Sequence, residues 1–249
     1  LSEDNYGLFA AVNLREIKRI ISNLINNSVE ALGEKGAISL QIDSPNSKSV
    51  RIRVIDNGKG IPPEVLARLG ERGMSHGKEG TESGSGLGVY HAKATVESWG
   101  GTFLIESCEA MGTTMIIVLP RAAAPTWFVE QLKVAESSKI AVLDDDVSIH
   151  QVWDGRFQTS APSVEMIHFS SPLEFLEWAS KNQADKYLVD FELLGHKETG
   201  LDVIEKLGLK QKAILVTSRF EEPQIQSRCA VLGVGLIPKG LAPLVRIVV

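Results

Sequence analysis

The sequence predicts two successive domains, an α+β sandwich followed by an α/β doubly wound parallel sheet. Three observations lead there. An amphipathic helix near the start runs into alternating strands and a glycine-rich stretch. From Lys139 onward, short apolar strands alternate with helical segments. Between the two patterns, Ala122-Ala123-Ala124-Pro125 interrupts both. A length of 249 residues accommodates one or two domains.

The first element is a helix over about Leu14 to Leu32. Ile17, Ile20, Ile21, Leu24, Ile25 and Leu32 fall on one stripe at about 100° per residue, with Glu16, Asn23, Asn27 and Glu30 on the opposite arc. Gly33 and Gly36 stop it, and Ala37 to Ile42 alternates as a strand. A polar turn around Pro45-Asn46-Ser47 leads to a second strand, Val50 to Ile55. Val89 to Trp99 reads as a helix closed by Gly100-Gly101. Strands Thr102 to Ser107 and Thr113 to Leu119 follow, and Pro120 is expected to end the unit. A short connecting helix is expected over Trp127 to Ala135. Beyond it, Ile140 to Leu143, Tyr187 to Val189, Ala213 to Val216 and Leu236-Ile237 are the strands, an alternation that implies a parallel sheet with helices on both faces.

Hydrophobic residues make up 43% of the chain, enough for real cores. A formal charge of −5 and the lack of a basic block argue against a nucleic-acid partner. Cys108 and Cys229 lie far apart without metal-ligand spacing and read as free thiols of a reducing cytoplasm. No apolar run approaches the roughly 18 residues of a membrane span. The chain opens at Leu1 and is read as a piece of a longer protein, whose membrane attachment stays open.

Three motifs converge on a nucleotide. Asn23 and Asn27 lie one turn apart on the face away from the apolar stripe, and an amide oxygen is a hard ligand for Mg²⁺ held also by a triphosphate. Asp56-Asn57-Gly58-Lys59-Gly60-Ile61 follows a buried strand: the carboxylate can accept from an adenine amine, and the glycines let backbone approach the base. Gly84-Ser85-Gly86-Leu87-Gly88 opens a helix whose free amides form an anion site. It is neither the dinucleotide fingerprint, since no βαβ unit surrounds it, nor a P-loop, since the Lys-Ser/Thr pair is missing.

In that order, over about Leu14 to Arg121, these motifs resemble the ATP-binding fold shared by histidine kinases, gyrase, Hsp90 and MutL. The resemblance implies that Asn27 holds Mg²⁺ and that Asp56 reads adenine. It further implies that Gly84, Gly86 and Gly88 close over the phosphates, with Glu71 to Ser83 as a mobile lid. Gly112-Thr113-Thr114 looks like the last box. The residues expected to bind the nucleotide and its Mg²⁺ are therefore Asn23, Asn27, Asp56, Gly58, Gly60, Ile61, Gly84, Ser85, Gly86, Leu87, Gly88 and Thr113. Hydrolysing members of the superfamily place a glutamate where this chain has Asn23, so the missing base favours transfer to a supplied nucleophile over attack by water. Glu30 stands where many kinases carry a basic residue, and Lys78 of the lid is the candidate to replace it.

In the second half, Asp144-Asp145-Asp146 follows a strand, Asp190 and Thr217 end two others, and Lys239 follows a fourth. In a doubly wound sheet those strand ends meet at one edge. Crowded carboxylates there call for a cation, and oxygen ligands suit Mg²⁺. The order resembles a response-regulator receiver domain over about Lys139 to Val249. It implies Asp144, Asp145 and Asp190 around Mg²⁺, Asp190 as phosphoacceptor, Thr217 as switch hydroxyl and Lys239 as the neutralising ammonium. Asp146 has no assigned role. Leu236 stands where an aromatic is usual and Gly240 where proline is usual, which puts the output mechanism in question more than the chemistry.

The domains expected are 1–12 as the end of an upstream helical region, 13–121 as the ATP-binding catalytic domain, 122–138 as a linker and 139–249 as the receiver. Together they imply the catalytic and receiver portion of a two-component hybrid histidine kinase that uses ATP and Mg²⁺. Its acceptor histidine would lie elsewhere: His76 and His91 read as lid or structural residues and His150 as helix surface, leaving no histidine on a dimerising hairpin. The partners implied are the dimerisation/phosphohistidine domain of the same parent and a downstream phosphotransfer protein or response regulator. Rival readings are a regulatory scaffold with a degenerate receiver, and an ATPase of the same fold.

Overall fold

The structure is a computed structural model that describes residues 3–67, 69 and 87–249. The chain divides into two compact units, Glu3–Ala123 and Ala124–Val249.

In the first unit a 3-10 turn, Glu3–Asn5, precedes β1 (Phe9–Ala10) and α1 (Leu14–Ala31). The hairpin β2 (Ile38–Asn46) and β3 (Ser49–Asp56) follows, then the single turn α2 (Pro63–Leu66), α3 (Leu87–Ser98), β4 (Thr102–Cys108) and β5 (Gly112–Ala122). The sheet is antiparallel in the order β1-β5-β3-β2, with β4 also on β5. β3 explains the packing: Val50, Ile52, Val54 and Asp56 alternate inward. Ile17, Ile20 and Leu24 of α1 and Ala92 and Val96 of α3 close over that face with Phe103, Met115, Ile117 and Leu119. Each large aliphatic side chain removed from water there contributes about 1.5–3 kcal/mol. On the outer face Asp43 takes both forks of Arg51 at 2.9 Å and one of Arg53 at 2.9 Å. The Arg51 hydrogen bond, outweighing partial burial, holds the Asp43 carboxyl below its usual range. Asn13 caps α1 by accepting from the Arg15 and Glu16 amides.

Two expectations fail at the ends of this unit. Residues 3–12 form no α-helix; Tyr6 is buried, and Phe9 and Ala10 pair with Ala122 and Arg121. Pro120 does not end the sheet either. β5 passes through it to Ala122, because β1 takes up the backbone beyond the proline.

The second unit begins with a strap. Trp127 to Ala135 is not the helix expected: Leu236 donates its amide to Trp127 O and accepts from the Val129 amide. β6 (Leu132–Lys133) then pairs in parallel with a short strand from the other end of the unit. The doubly wound body is β7 (Lys139–Leu143), α4 (Val147–Ser160), β8 (Glu165–Phe169), α5 (Pro172–Ala179), β9 (Lys186–Asp190), α6 (Gly200–Lys206), β10 (Ala213–Thr217), α7 (Pro223–Leu232) and β11 (Gly235–Pro238). A 3-10 turn, Lys239–Leu244, leads to β12 (Ile247–Val248), the partner of β6. The sheet is parallel in the order β8-β7-β9-β10-β11, so the chain crosses once from one side of β7 to the other. β8 escaped the sequence reading because Glu165 and His168 break its apolar run and it lies at the sheet edge.

Candidate functional site

Asp56 ends β3 on the inward face, beneath α1, and is buried. Ser28 of α1 donates its hydroxyl to Oδ2 at 2.8 Å, and the Gly58 and Thr113 amides donate to Oδ1 at 3.0 and 3.2 Å. A carboxylate has about four acceptor positions, so one remains for an incoming N–H. The loop after it is wedged between α1 and the β4–β5 turn. A Cβ on Gly58 would sit 2.6 Å from Ala31 O; Gly60 has φ +67° and its Cβ would sit 2.0 Å from Cys108 O. The Ile61 amide donates to Ser107 Oγ at 2.9 Å, and Ser107 in turn reaches Thr113 Oγ1 at 2.9 Å. Asp56, Gly58, Gly60, Ile61 and Thr113 are thus brought together. Ser28 and Ser107 were missed by sequence reasoning. For Ser28 a signal existed, since it lies at i+4 from Leu24 and i+8 from Ile20 on the buried stripe.

Asn23 and Asn27 are half-buried on α1. A Cβ on Gly88 would come within 3.9 Å of Asn23 Nδ2, so the first turn of α3 lies against that asparagine. Leu87 opens α3. Gly84, Ser85 and Gly86, with Lys78, His76 and the expected lid, lie outside the described residues. His91 faces Glu16 at 3.0 Å and Arg19, joining α3 to α1.

The second cluster lies at the carboxyl ends of β7, β9, β10 and β11. Lys239 donates from Nζ to Asp144 Oδ1 at 2.9 Å and to Asp190 Oδ2 at 2.7 Å. The Asp146 amide also donates to Asp144 Oδ1, and the Phe191 amide to Asp190 Oδ1 at 2.6 Å. Asp144 and Asp190 are buried, Asp145 half-buried, and ligand oxygens of the three lie within 4.8 Å of one another. Burial pushes both the Asp144 and Asp190 carboxyls up, against the pull of Lys239. Burial alone would lower Lys239, but its bonds to Asp190 and Asp144 outweigh that and hold it above its usual range. Asp144 Oδ2 is buried without a hydrogen-bond partner. An orphaned carboxylate oxygen beside two further carboxylates is a donor set that fits a hard divalent cation. Thr217 is buried and its Oγ1 accepts from the Arg219 amide at 3.0 Å, which leaves the hydroxyl proton available. Asp146, without a role in the sequence reading, caps α4 by accepting from the Ser148 amide.

Residues 13–123 match the family model described as histidine kinase-, DNA gyrase B- and HSP90-like ATPase. The first unit carries a histidine-kinase-type ATP-binding domain. This domain is 33% identical over 108 residues to sporulation kinase D of Bacillus subtilis, a match covering 43% of the chain and 20% of that kinase. Sensor histidine kinase AruS of Pseudomonas aeruginosa is 27% identical over 186 residues, covering 72% of the chain and 18% of AruS. The second match is longer than the ATP-binding domain and extends into the second unit. The catalytic domain of histidine kinase ThkA aligns over 44% of this chain and 70% of its own at 27% identity, with a TM-score of 0.38. The chain spans about a fifth of the length of the curated kinases quoted. Among the described residues no helix is long and apolar enough to cross a membrane.

Proposed function

We propose that the chain is the catalytic and receiver portion of a two-component hybrid histidine kinase. Its first unit would bind ATP with Mg²⁺ for transfer to a histidine outside these residues, and Asp190 of its second unit would accept a phosphoryl group. The observation that carries the receiver reading is the Lys239 ammonium shared between Asp144 and Asp190 at the strand ends of a doubly wound parallel sheet. The AruS match runs beyond the first unit, so the likeness to a sensor histidine kinase is not confined to the ATP-binding domain.

In the first unit Asp56 offers its remaining acceptor to a base amine, while Ser28, Gly58 and Thr113 hold the carboxylate in place. Asn23 lies against the first turn of α3, and Asn27 follows it one turn along α1, so their amide oxygens would serve Mg²⁺ and the phosphates. With Asn23 in place of a carboxylate, nothing at that position activates water, which favours transfer over hydrolysis. In the second unit Asp190 Oδ2, held by Lys239, is the attacking oxygen. Asp144, Asp145 and Asp190 would hold Mg²⁺, which supplies charge neutralisation at the transferring group when bound. Lys239 and the Thr217 hydroxyl face the charge that develops on the phosphoryl oxygens. The partners proposed are the phosphohistidine domain of the same parent and a downstream phosphotransfer protein or response regulator, in the cytoplasm.

The test is incubation with Mg²⁺ and a small-molecule phosphodonor, followed by mass mapping. A base-labile gain at Asp190, absent from Asp190→Asn, is the expected result. A folded chain that takes up no phosphoryl group would replace this reading with a regulatory scaffold. That second reading is favoured by the strap that pairs with both backbone groups of Leu236 where an aromatic is usual. Steady ATP turnover abolished by Asp56→Asn would favour the ATPase.

A further inference from the structure

His150 and His168 were not assigned to any site, and both carry a ring nitrogen that is buried without a partner. His150 and Asp154 lie one turn apart on α4, above His168 of β8. The His168 ring donates from Nε2 to Asp154 Oδ1 at 2.6 Å, because a carboxylate can only accept; in the neutral ring that leaves Nδ1 as a lone pair, buried and unpartnered. His150 is 8% exposed, and its ring bonds the Asp144 backbone. Its Nε2 has no partner, so that bond leaves from Nδ1 and Nε2 is a second buried lone pair. The two ring centroids are 4.8 Å apart at an interplanar angle of 32°.

Two adjacent imidazoles in their neutral form, each with one N–H fixed on a carboxylate or carbonyl and the other nitrogen buried without a donor, match the outer hydrogen bonding of metal-ligating histidines. Unmade hydrogen bonds at buried polar atoms cost about 1–3 kcal/mol each, so a pair of them calls for an electrophile. Imidazole nitrogens select borderline transition metals over Mg²⁺, which takes oxygen. We propose that His150 Nε2 and His168 Nδ1 form a binding site for a divalent transition-metal cation such as Zn²⁺, with Asp154 and the Asp144 carbonyl orienting the rings and solvent completing the coordination. His168 keeps 23% of its side chain exposed, so its ring borders solvent although Nδ1 itself is buried, and a cation enters by a small movement of that ring. The site is distinct from the Asp144, Asp145 and Asp190 carboxylates in ligand chemistry and does not depend on the receiver reading.

Zn²⁺ titration of the full chain against a chromophoric chelator, in excess Mg²⁺ to occupy the carboxylate cluster, tests this. One Zn²⁺ site is expected, retained in Asp145→Asn and lost in His168→Gln. Asp154→Asn, which keeps the packing but turns the orienting acceptor into an amide, should weaken it about ten- to a hundred-fold. Ring-nitrogen NMR gives an independent readout: without metal, His168 should carry its proton on Nε2 and His150 on Nδ1, and Zn²⁺ should shift the two bare nitrogens. Zn²⁺ binding equal in wild type and His168→Gln, or lost in Asp145→Asn alone, would overturn the proposal, as would either ring in the opposite tautomer.

Discussion

Asp56 owes its setting to three donors from three different segments, and each can be tested singly. Ser28→Ala removes a buried hydroxyl from a carboxylate, a bond worth about 1.5–3 kcal/mol when one partner is charged. The first unit should lose that much stability in urea titration, and affinity for a non-hydrolysable ATP analogue should fall with it. Ser28→Thr, which keeps the hydroxyl, should recover most of the affinity. Gly60→Ala should be worse than its size suggests. The added methyl meets Cys108 O in a backbone with positive φ, so neither a rotamer change nor a side-chain shift relieves it. The sequence marks Asp56 and Gly60 as functional because the Asp-x-Gly-x-Gly run stands in order with the asparagine helix and the Gly-x-Gly-x-Gly run; alone it would read as an ordinary turn. For Ser28 the sequence offers only its place on the buried stripe of α1; its partner Asp56 is known only once the strand beneath is placed.

The β2–β3 hairpin and the strap make elements the next level of prediction. Asp43 binds Arg51 and Arg53 on the outer face, and its carboxyl is held below the usual range. A depressed carboxyl stabilises the fold above its unfolded value of 3.8, and the contribution is lost as pH falls through the folded value. The side chain is one-third exposed, so solvent limits the effect to about 1 kcal/mol. Asp43→Asn should therefore lower urea stability by that amount at neutral pH and by nothing in strong acid. For the strap, deletion of residues 124–134 from the second unit should uncover the backbone of β11. Leu236 would then lose partners for both its N–H and its C=O, leaving an open edge beside an apolar strand. Self-association by light scattering is the expected outcome; an unchanged monomer would show that the strap protects nothing.

Across the whole molecule, each compact unit has its own buried core and its own candidate site, which predicts independent responses to ligand. A ligand that binds only the folded state stabilises it by an amount set by its concentration over Kd, about 2.7 kcal/mol at a hundredfold excess. An ATP analogue should raise the melting transition of the first unit, and Asp56→Asn should abolish that shift. Mg²⁺ with a phosphoryl mimic should raise the transition of the second unit, and Asp190→Asn should abolish it. Calorimetry that showed one ligand moving both transitions equally would contradict the separation.

The periodicities carried most of this. An 18-residue stripe at helical spacing, a strand alternating in twos and a series of short apolar runs are local facts, and local propensity was obeyed in α1, β3, β7, β9, β10 and β11. The order of acidic, hydroxyl and basic residues at strand ends was equally legible, because a parallel sheet collects its strand ends on one edge. Several features could not be read from the chain alone. The strap reads as a helix in the sequence because its pairing partner, Leu236, lies more than a hundred residues away. β8 is not evident in the sequence because Glu165 and His168 break its apolar run and it lies at the sheet edge. The sequence puts His150 on a helix surface, whereas the fold buries it against His168, since only the packing of α4 on β8 brings those two rings together. Sequence pattern records what each segment does with its own neighbours; which distant segment completes a hydrogen bond or buries a ring is decided by tertiary contact.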